Sequence, residues 1–267
     1  MDTPTLFPAR RAAADTDILP SYFPAPGLGL VPVNAFLIRA KEPVLVDTGL
    51  VPLRDAFIDQ LATLLPIASL RWIWLTHADQ DHVGAIHALL ERAPRARVVT
   101  TYIGLAKMSL FAPLPIDRVF LLNPGERLEA GDRHLFCLRP PTFDAPETTA
   151  LFDSKTRTLF SSDSFGAVVQ QPFDAAEAMP VDVMCRGMEQ WASIDAPWLE
   201  CADRALFARR FDMIRSLAPT TLLSSHLPPA HGITETLVKS LEGTCTMAPF
   251  VGPNQVTFEQ MLRQAAE

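Results

Sequence analysis

The run Thr76-His77-Ala78-Asp79-Gln80-Asp81-His82-Val83-Gly84 constrains this chain more than any other feature. It packs two imidazoles and two carboxylates between positions 77 and 82, directly after the apolar Arg71-Trp72-Ile73-Trp74-Leu75. Four such groups crowded into a folded interior repel one another or compete for protons. A divalent cation relieves that conflict by supplying the opposite charge, so the motif reads first as a metal site.

The flanks suggest how the groups are aimed. Residues 71 to 76 read as a strand, and Val83 through Leu90 has the apolar spacing of a buried helix, which makes the motif a strand-to-helix loop. His77 and Asp79 can then project to one side by two-residue alternation, and Asp81 and His82, at the expected helix start, to another. That arrangement suits two neighbouring cations. The plainer alternative is that Asp81 caps a helix beginning near Val83, which leaves His77 and His82 without explanation.

The pattern Thr-His-x-Asp-x-Asp-His-x-Gly resembles the signature loop of the metallo-β-lactamase superfamily, with Asp79 standing where most members have histidine. The flavodiiron proteins, a redox branch of that superfamily, also carry a carboxylate there, normally glutamate. Other segments extend the resemblance over roughly residues 30 to 232. Pro32-Val33-Asn34-Ala35-Phe36-Leu37-Ile38 and Pro43-Val44-Leu45-Val46-Asp47-Thr48-Gly49 look like the opening strands and their Asp-Thr-Gly turn. Phe143-Asp144-Ala145-Pro146-Glu147-Thr148 is similar to a His-Trp-Pro-Glu-Thr element, with Asp144 in the place of a metal-binding histidine. Leu159-Phe160-Ser161-Ser162-Asp163-Ser164-Phe165-Gly166 resembles the strand that delivers a bridging aspartate, and Thr221-Leu222-Leu223-Ser224-Ser225-His226 the last strand and its histidine.

The resemblance implies an αββα sandwich of α/β class. It implies that His77, Asp79 and Asp144 bind one metal ion and Asp81, His82 and His226 another. Asp163 would bridge the two and hold them at reactive separation, and Asp47 would support the ligands from behind. Asp144 also fits an ordinary turn residue among Pro140, Pro141 and Pro146, and Asp163 a strand-end turn. His87 and His134 read as surface or structural histidines, while His231 is near enough in sequence to His226 to support it from behind.

Charge narrows the chemistry. Asp79, Asp81, Asp144 and Asp163 together would cancel two divalent ions, so a bound water would be acidified less than at a histidine-rich zinc pair. Hard oxygen ligands also favour iron or manganese over zinc and stabilise the more oxidised state. Both arguments agree with the flavodiiron resemblance, which implies binding, sensing or reducing O2 or NO at two metal ions, most readily iron. A metal-dependent hydrolase of an ester, thioester or phosphoester is the alternative. A length of 267 residues fits a single α/β domain without an attached flavin module, and no glycine-rich phosphate loop stands in for one, so electrons would come from an external donor protein.

A net charge of −7 argues against nucleic acid as a partner, and Arg10-Arg11 and Arg209-Arg210 are isolated pairs. With no signal-peptide pattern and no long apolar run, a cytoplasmic location away from the membrane is expected. Cys137, Cys185, Cys201 and Cys245 are too scattered for a disulfide framework or a zinc knuckle. Residues 1 to 17 are expected as a flexible arm preceding a domain at 18 to 267. Beyond the metal loop, the spacing predicts strands within 31–47, helices at 52–65 and 84–93, a strand at 97–101, mostly β-structure from 119 to 163 with a turn at Asp153-Ser154-Lys155-Thr156, and helices at 201–217 and 233–242. The apolar stretch 172–200, interrupted by Pro172, Pro180 and Pro197, could wall the metal pocket, pack in the core, or form a homodimer contact.

Overall fold

The computed structural model describes residues 3–265. The first sheet is built from β1 (Thr5–Leu6), β2 (Arg10–Ala13), β3 (Thr16–Ala25), β4 (Gly29–Ile38), β5 (Val44–Val46), β6 (Trp72–Trp74), β7 (Arg97–Thr100) and β8 (Val119–Leu121). Its order is β1-β3-β4-β5-β6-β7-β8, with β2 also paired to β3. The second sheet holds β9 (Arg127–Glu129), β10 (His134–Leu138), β11 (Ala150–Asp153), β12 (Thr158–Phe160), β13 (Thr221–Leu223) and β14 (Ala230–His231), in the order β14-β13-β12-β11-β10-β9. Helices α1 (Arg54–Leu64), α2 (Ile86–Arg92) and α3 (Tyr102–Phe111) fall between strands of the first sheet. Helices α4 (Val181–Asp195), α5 (Arg204–Leu217), α6 (Thr234–Glu242) and α7 (Gln255–Ala265) belong to the second half of the chain.

Side-chain alternation sorts the core into layers. In β5 and β6, Val44, Val46, Trp72 and Trp74 point between the sheets, where they meet Leu135, Leu151, Phe160 and Leu223. Leu45 and Ile73 point the other way, onto Phe57, Ile58 and Leu61 of α1 and Leu89 of α2. In the second sheet, Phe152, Leu159 and Leu222 face outward onto Met188 of α4, Phe211 of α5 and Leu237 of α6. A two-residue period with both faces apolar buries a strand on each side, and helices must then cover both outer faces.

Several expectations need correction. Residues 5–17 are strand and turn, not a loose arm. β1 and β2 pair with β3, Ala12 is buried in the core between the sheets, and Arg11 and Arg39 both pair with buried Asp17. Small residues there suffice because an edge strand is held largely by backbone hydrogen bonds. Residues 1–2 lie outside the described residues. Helix α2 begins at Ile86 with Ala85 at its N-cap and no side-chain cap bond, so Asp81 does not cap it. Helix α3 was not anticipated, because Tyr102, Ile103, Leu110 and Phe111 are all exposed and break any apolar stripe; Thr101 caps it by accepting a hydrogen bond from the Gly104 amide at 3.0 Å. In the proline-interrupted stretch, Pro180 immediately precedes α4 and Pro197 follows its end, so these prolines bracket a helix of 15 residues. Its Met184, Met188 and Ala192 pack in the core, which leaves another face for the site.

Candidate metal centre

Parallel pairing of β5 with β6 and of β12 with β13 brings four strand ends to one rim of the sandwich. The chain leaves these ends into Asp47, His77, Asp163 and His226. Three residues on this rim, Asp47, Ser162 and Phe165, take left-handed backbone conformations with φ of 59°, 55° and 68°. Such strain in non-glycine residues is tolerated where surrounding bonds over-determine it, and it gathers at functional sites.

Asp47 shows that over-determination. Its carboxylate accepts the Thr76 amide and hydroxyl at 2.8 Å each and lies 2.9 Å from His82 Nδ1. The two loops are also stitched through their backbones, Thr48 N–H to His82 O at 2.7 Å and Gly84 N–H to Gly49 O at 2.8 Å. A Cβ on Gly84 would come within 2.4 Å of the Gly49 carbonyl oxygen, so the glycine that closes the motif is required by this close approach.

His77, His82 and His226 are each about 1% exposed and are aimed the same way. One ring nitrogen of each is engaged from behind: His82 Nδ1 by Asp47, His226 Nδ1 by the Pro32 carbonyl at 2.7 Å, and His77 Nδ1 by Thr76 Oγ1 at 3.1 Å and Ser162 Oγ at 3.3 Å. A proton on Nδ1 of His226, donated to that carbonyl, leaves Nε2 with a free lone pair in the neutral ring, and the carboxylate of Asp47 enforces the same tautomer on His82. All three Nε2 atoms then face Asp163. His77 Nε2 lies 3.2 Å from its Oδ2, and His82 Nε2 and His226 Nε2 lie 3.2 Å from its Oδ1. His77 Nε2, His82 Nε2 and Asp163 Oδ1 are buried, yet among the described residues they have no hydrogen-bond partner of acceptable geometry. Buried polar atoms gathered at short range without aligned bonds are what a cation would satisfy. The residues present therefore fit a metal pair.

The remaining carboxylates complete two groups. Asp81 Oδ2 is 3.5 Å from His82 Nε2 and 3.6 Å from His226 Nε2. Donor atoms of His77, Asp79 and Asp144 lie within 4.8 Å of one another, as do those of Asp81, His82 and His226. The structure thus brings all seven sequence-predicted residues to one rim, with the two oxygens of Asp163 divided between the groups. Asp144 is the most exposed of them, on a loop held by Arg139 Nη1 to the Pro146 and Thr148 carbonyls at 2.7 Å and by Trp198 Nε1 to the Phe143 carbonyl at 2.8 Å.

Electrostatics agree with this geometry. Burial, the largest influence, and the His82 ring pull the His77 imidazole down, but Asp163 and Asp144 together outweigh them and raise the ring to about 9. For His82, burial is outweighed by Asp81, Asp163 and Asp47, and for His226 by Asp163 and Asp81, so both are raised too. Burial opposes the charge on Asp163, yet the three imidazoles hold its carboxyl well below the ordinary range. Burial, countered by His77 and reinforced by Asp163 and Asp79, raises Asp144.

Lys107 and Asp195 escaped the sequence reading, while Trp191 comes from the apolar stretch 172–200 that could wall the pocket. Lys107 of α3 reaches Asp79 at 3.5 Å and forms a tight ion pair with the buried carboxylate of Glu147. Trp191 of α4 packs on the His226 ring with centroids 4.3 Å apart and donates from Nε1 to the Asp163 carbonyl at 3.0 Å. Asp195, one turn further along α4, enters a group with Asp144 and Asp163 whose donor atoms also lie within 4.8 Å. Burial, then Asp163 and Asp144, raises its carboxyl well above the ordinary range. The four-residue interval between Trp191 and Asp195 was the available signal, since it puts both on one helical face. His231 supports a different joint: its ring lies 2.8 Å from Glu177 Oε1 and 2.8 Å from the Ala12 carbonyl, not behind His226. An apolar cleft of about 460 Å³, lined in part by Phe23, Leu50, Val51 and Trp191, opens beside Asp81.

Two sheets covered by helices on both faces, with a histidine and aspartate cluster at the strand ends, define the metallo-β-lactamase class of fold. A family model described as "ODP family beta lactamase" matches residues 31–226, and the chain belongs to that family. Diflavin flavoprotein A 1 of Synechocystis sp. is 31% identical over 134 residues, which are 50% of this chain and 23% of that protein. Anaerobic nitric oxide reductase flavorubredoxin of Pectobacterium atrosepticum is 26% identical over 134 residues, 50% of this chain and 26% of its own length. The chain thus spans about a quarter of these curated relatives. Among solved structures, rubredoxin oxygen:oxidoreductase of Desulfovibrio gigas superposes with a TM-score of 0.77 at 18% identity, covering 88% of this chain and 61% of that one. The flavodiiron protein of Giardia intestinalis gives 0.75 at 16%, covering 91% and 60%. At those identities the likeness speaks for the fold. Among the described residues, no helix is long and apolar enough to cross a membrane.

Proposed function

We propose that this chain holds two metal ions, one on His77, Asp79 and Asp144 and one on Asp81, His82 and His226, bridged by Asp163, and that it binds or reduces O2 or NO with electrons from an external donor protein. The observation that carries this reading is the approach of three Nε2 atoms to both oxygens of Asp163 at 3.2 Å, each ring being engaged from behind at its other nitrogen. The relatives' names, which speak of diflavin, nitric oxide reductase and oxygen oxidoreductase proteins, support the gas as ligand. The oxygen-rich donor set favours iron, with manganese next and zinc least.

Bound there, such a pair supplies one-electron redox chemistry that no side chain of this site offers. The chain does the rest. Asp47 and the Pro32 carbonyl fix the tautomers and ring planes of His82 and His226. Lys107 sets its charge against Asp79 and Glu147 and holds that side of the site. Trp191 covers His226 and limits water on that flank.

One observation favours the alternative of a metallo-hydrolase: the 460 Å³ cleft beside Asp81 is large enough for an organic molecule. Elemental analysis of protein purified without added metal, followed by anaerobic ferrous reconstitution and exposure to O2 and then NO, separates the two. Two irons per chain with an absorption change on gas exposure supports the first reading. Two zinc ions with ester turnover and no response to gas overturns it.

A further inference from the structure

Helix α4 presents a second functional side chain to this rim. Trp191 and Asp195 lie one turn apart, the first packed on His226 and bonded to the Asp163 carbonyl, the second directed at the carboxylates of Asp163 and Asp144. Asp195 is 8% exposed, and its Oδ2 is buried without a hydrogen-bond partner among the described residues. Three carboxylates converging at such range, one of them with an unpartnered buried oxygen, repel one another unless one keeps its proton or a cation lies among them, and a cation displaces that proton.

We propose that Asp195 is a further metal ligand on the His77 side of the centre, an inference that rests on the metal reading of the site. That ion would then be held by one imidazole, His77, and by carboxylates of Asp79, Asp144, Asp163 and Asp195, while its neighbour keeps two imidazoles. The centre is consequently asymmetric. The His77 side is oxygen-rich and suited to a hard cation with more than four ligands, Mn(II) or iron before Zn(II). Placement on a packed helix fixes the donor better than the exposed loop that carries Asp144.

The test uses the whole chain stripped of metal and titrated anaerobically with Mn(II), free ion being followed by electron paramagnetic resonance, and in parallel with Co(II), followed by visible absorption. Asp195→Asn removes one negative charge from a crowded cluster, so a merely structural aspartate predicts unchanged or tighter folding and unchanged metal uptake. A ligand predicts the opposite for uptake: one of the two Mn(II) ions is lost or weakened at least tenfold. The Co(II) d–d bands intensify as coordination number falls. If Asp195→Asn does not fold, Asp195→Glu serves, since a ligand displaced by one methylene alters the Co(II) spectrum. Two ions bound as in the unaltered chain with an identical Co(II) spectrum, in whichever variant folds, overturns the assignment of Asp195 alone. An unaltered chain that takes up neither Mn(II) nor Co(II) overturns the metal reading and this inference together.

Discussion

His82 Nδ1 and Asp47 Oδ2 lie 2.9 Å apart, across an interval of 35 residues that includes α1 and β6. The same carboxylate holds Thr76 through two further bonds, so a single side chain at the end of β5 sets both the motif's entry and its second imidazole. Asp47→Asn keeps the shape and suits the left-handed backbone, but it cannot accept from all three donors. Metal affinity is expected to fall about 10- to 100-fold, read by dialysis against buffered metal. Affinity equal to that of the unaltered chain would show that Asp47 serves the turn alone.

The raised imidazoles predict opposite pH trends for the metal-free and metal-loaded protein. His77 is raised to about 9 from an unfolded value near 6.5. Its contribution to stability without metal is therefore fully present below about 6.5 and is lost as pH climbs through about 9. His82 and His226 are raised in the same direction and add to the trend. Metal binding requires the rings to give up those protons, so affinity strengthens across the same window. Urea unfolding at successive pH values, with and without chelator, measures both; metal-free stability that increases from pH 6.5 to 9 contradicts the ion-pair account.

Two glycines on the rim differ in what surrounds them. A Cβ on Gly84 would meet backbone, the Gly49 oxygen and Leu50 carbon at 2.4 Å, and neither can move without parting the stitched loops. Gly84→Ala is expected to cost about 3 kcal/mol or more, at or beyond the upper end for overpacking. On Gly166 it would meet Trp191 Nε1 at 2.5 Å and His226 Cβ at 2.8 Å, so Gly166→Ala displaces side chains of the site itself. That variant should lose about 1–3 kcal/mol and show altered tryptophan emission, whereas unchanged emission would mean Trp191 had stayed in place.

Away from the site, Arg133 is fully buried between Asp153 at 2.9 Å and Asp15 at 2.6 Å. Asp153 is buried as well, while the Asp15 side chain is half exposed. Asp153→Ala removes the buried partner and leaves the guanidinium with the half-exposed Asp15, and it is expected to cost about 3 kcal/mol. Asp15→Ala removes an outer partner and should cost about 1 kcal/mol or less. Thermal unfolding of the two variants side by side checks the contrast, and equal losses would refute it.

The sandwich was legible because its central strands are short apolar runs, buried on both faces, and its motif residues stand just past their ends, where Asp47, His77, Asp163 and His226 are all found. Lys107 and Asp195 were not legible for opposite reasons. Lys107 sits on α3, whose exposed apolar residues hide the helical period, and its partner Glu147 lies in a loop with no period at all. Asp195 belongs to a helix bracketed by prolines, which read as interruptions. β1 and β2 were missed because pairing at a sheet edge draws on backbone groups that composition does not report.

The seven convergent side chains come from distant parts of the chain: residues 77 to 82 emerge from the first sheet, residues 144, 163 and 226 from the second. An ion seated among them would act as a rivet through the mouth of the sandwich, joining an early-made half of the polypeptide to a late-made one. Chelation should then loosen amide exchange at the rim ends of β6, β12 and β13 together, while the far ends of the same strands stay protected.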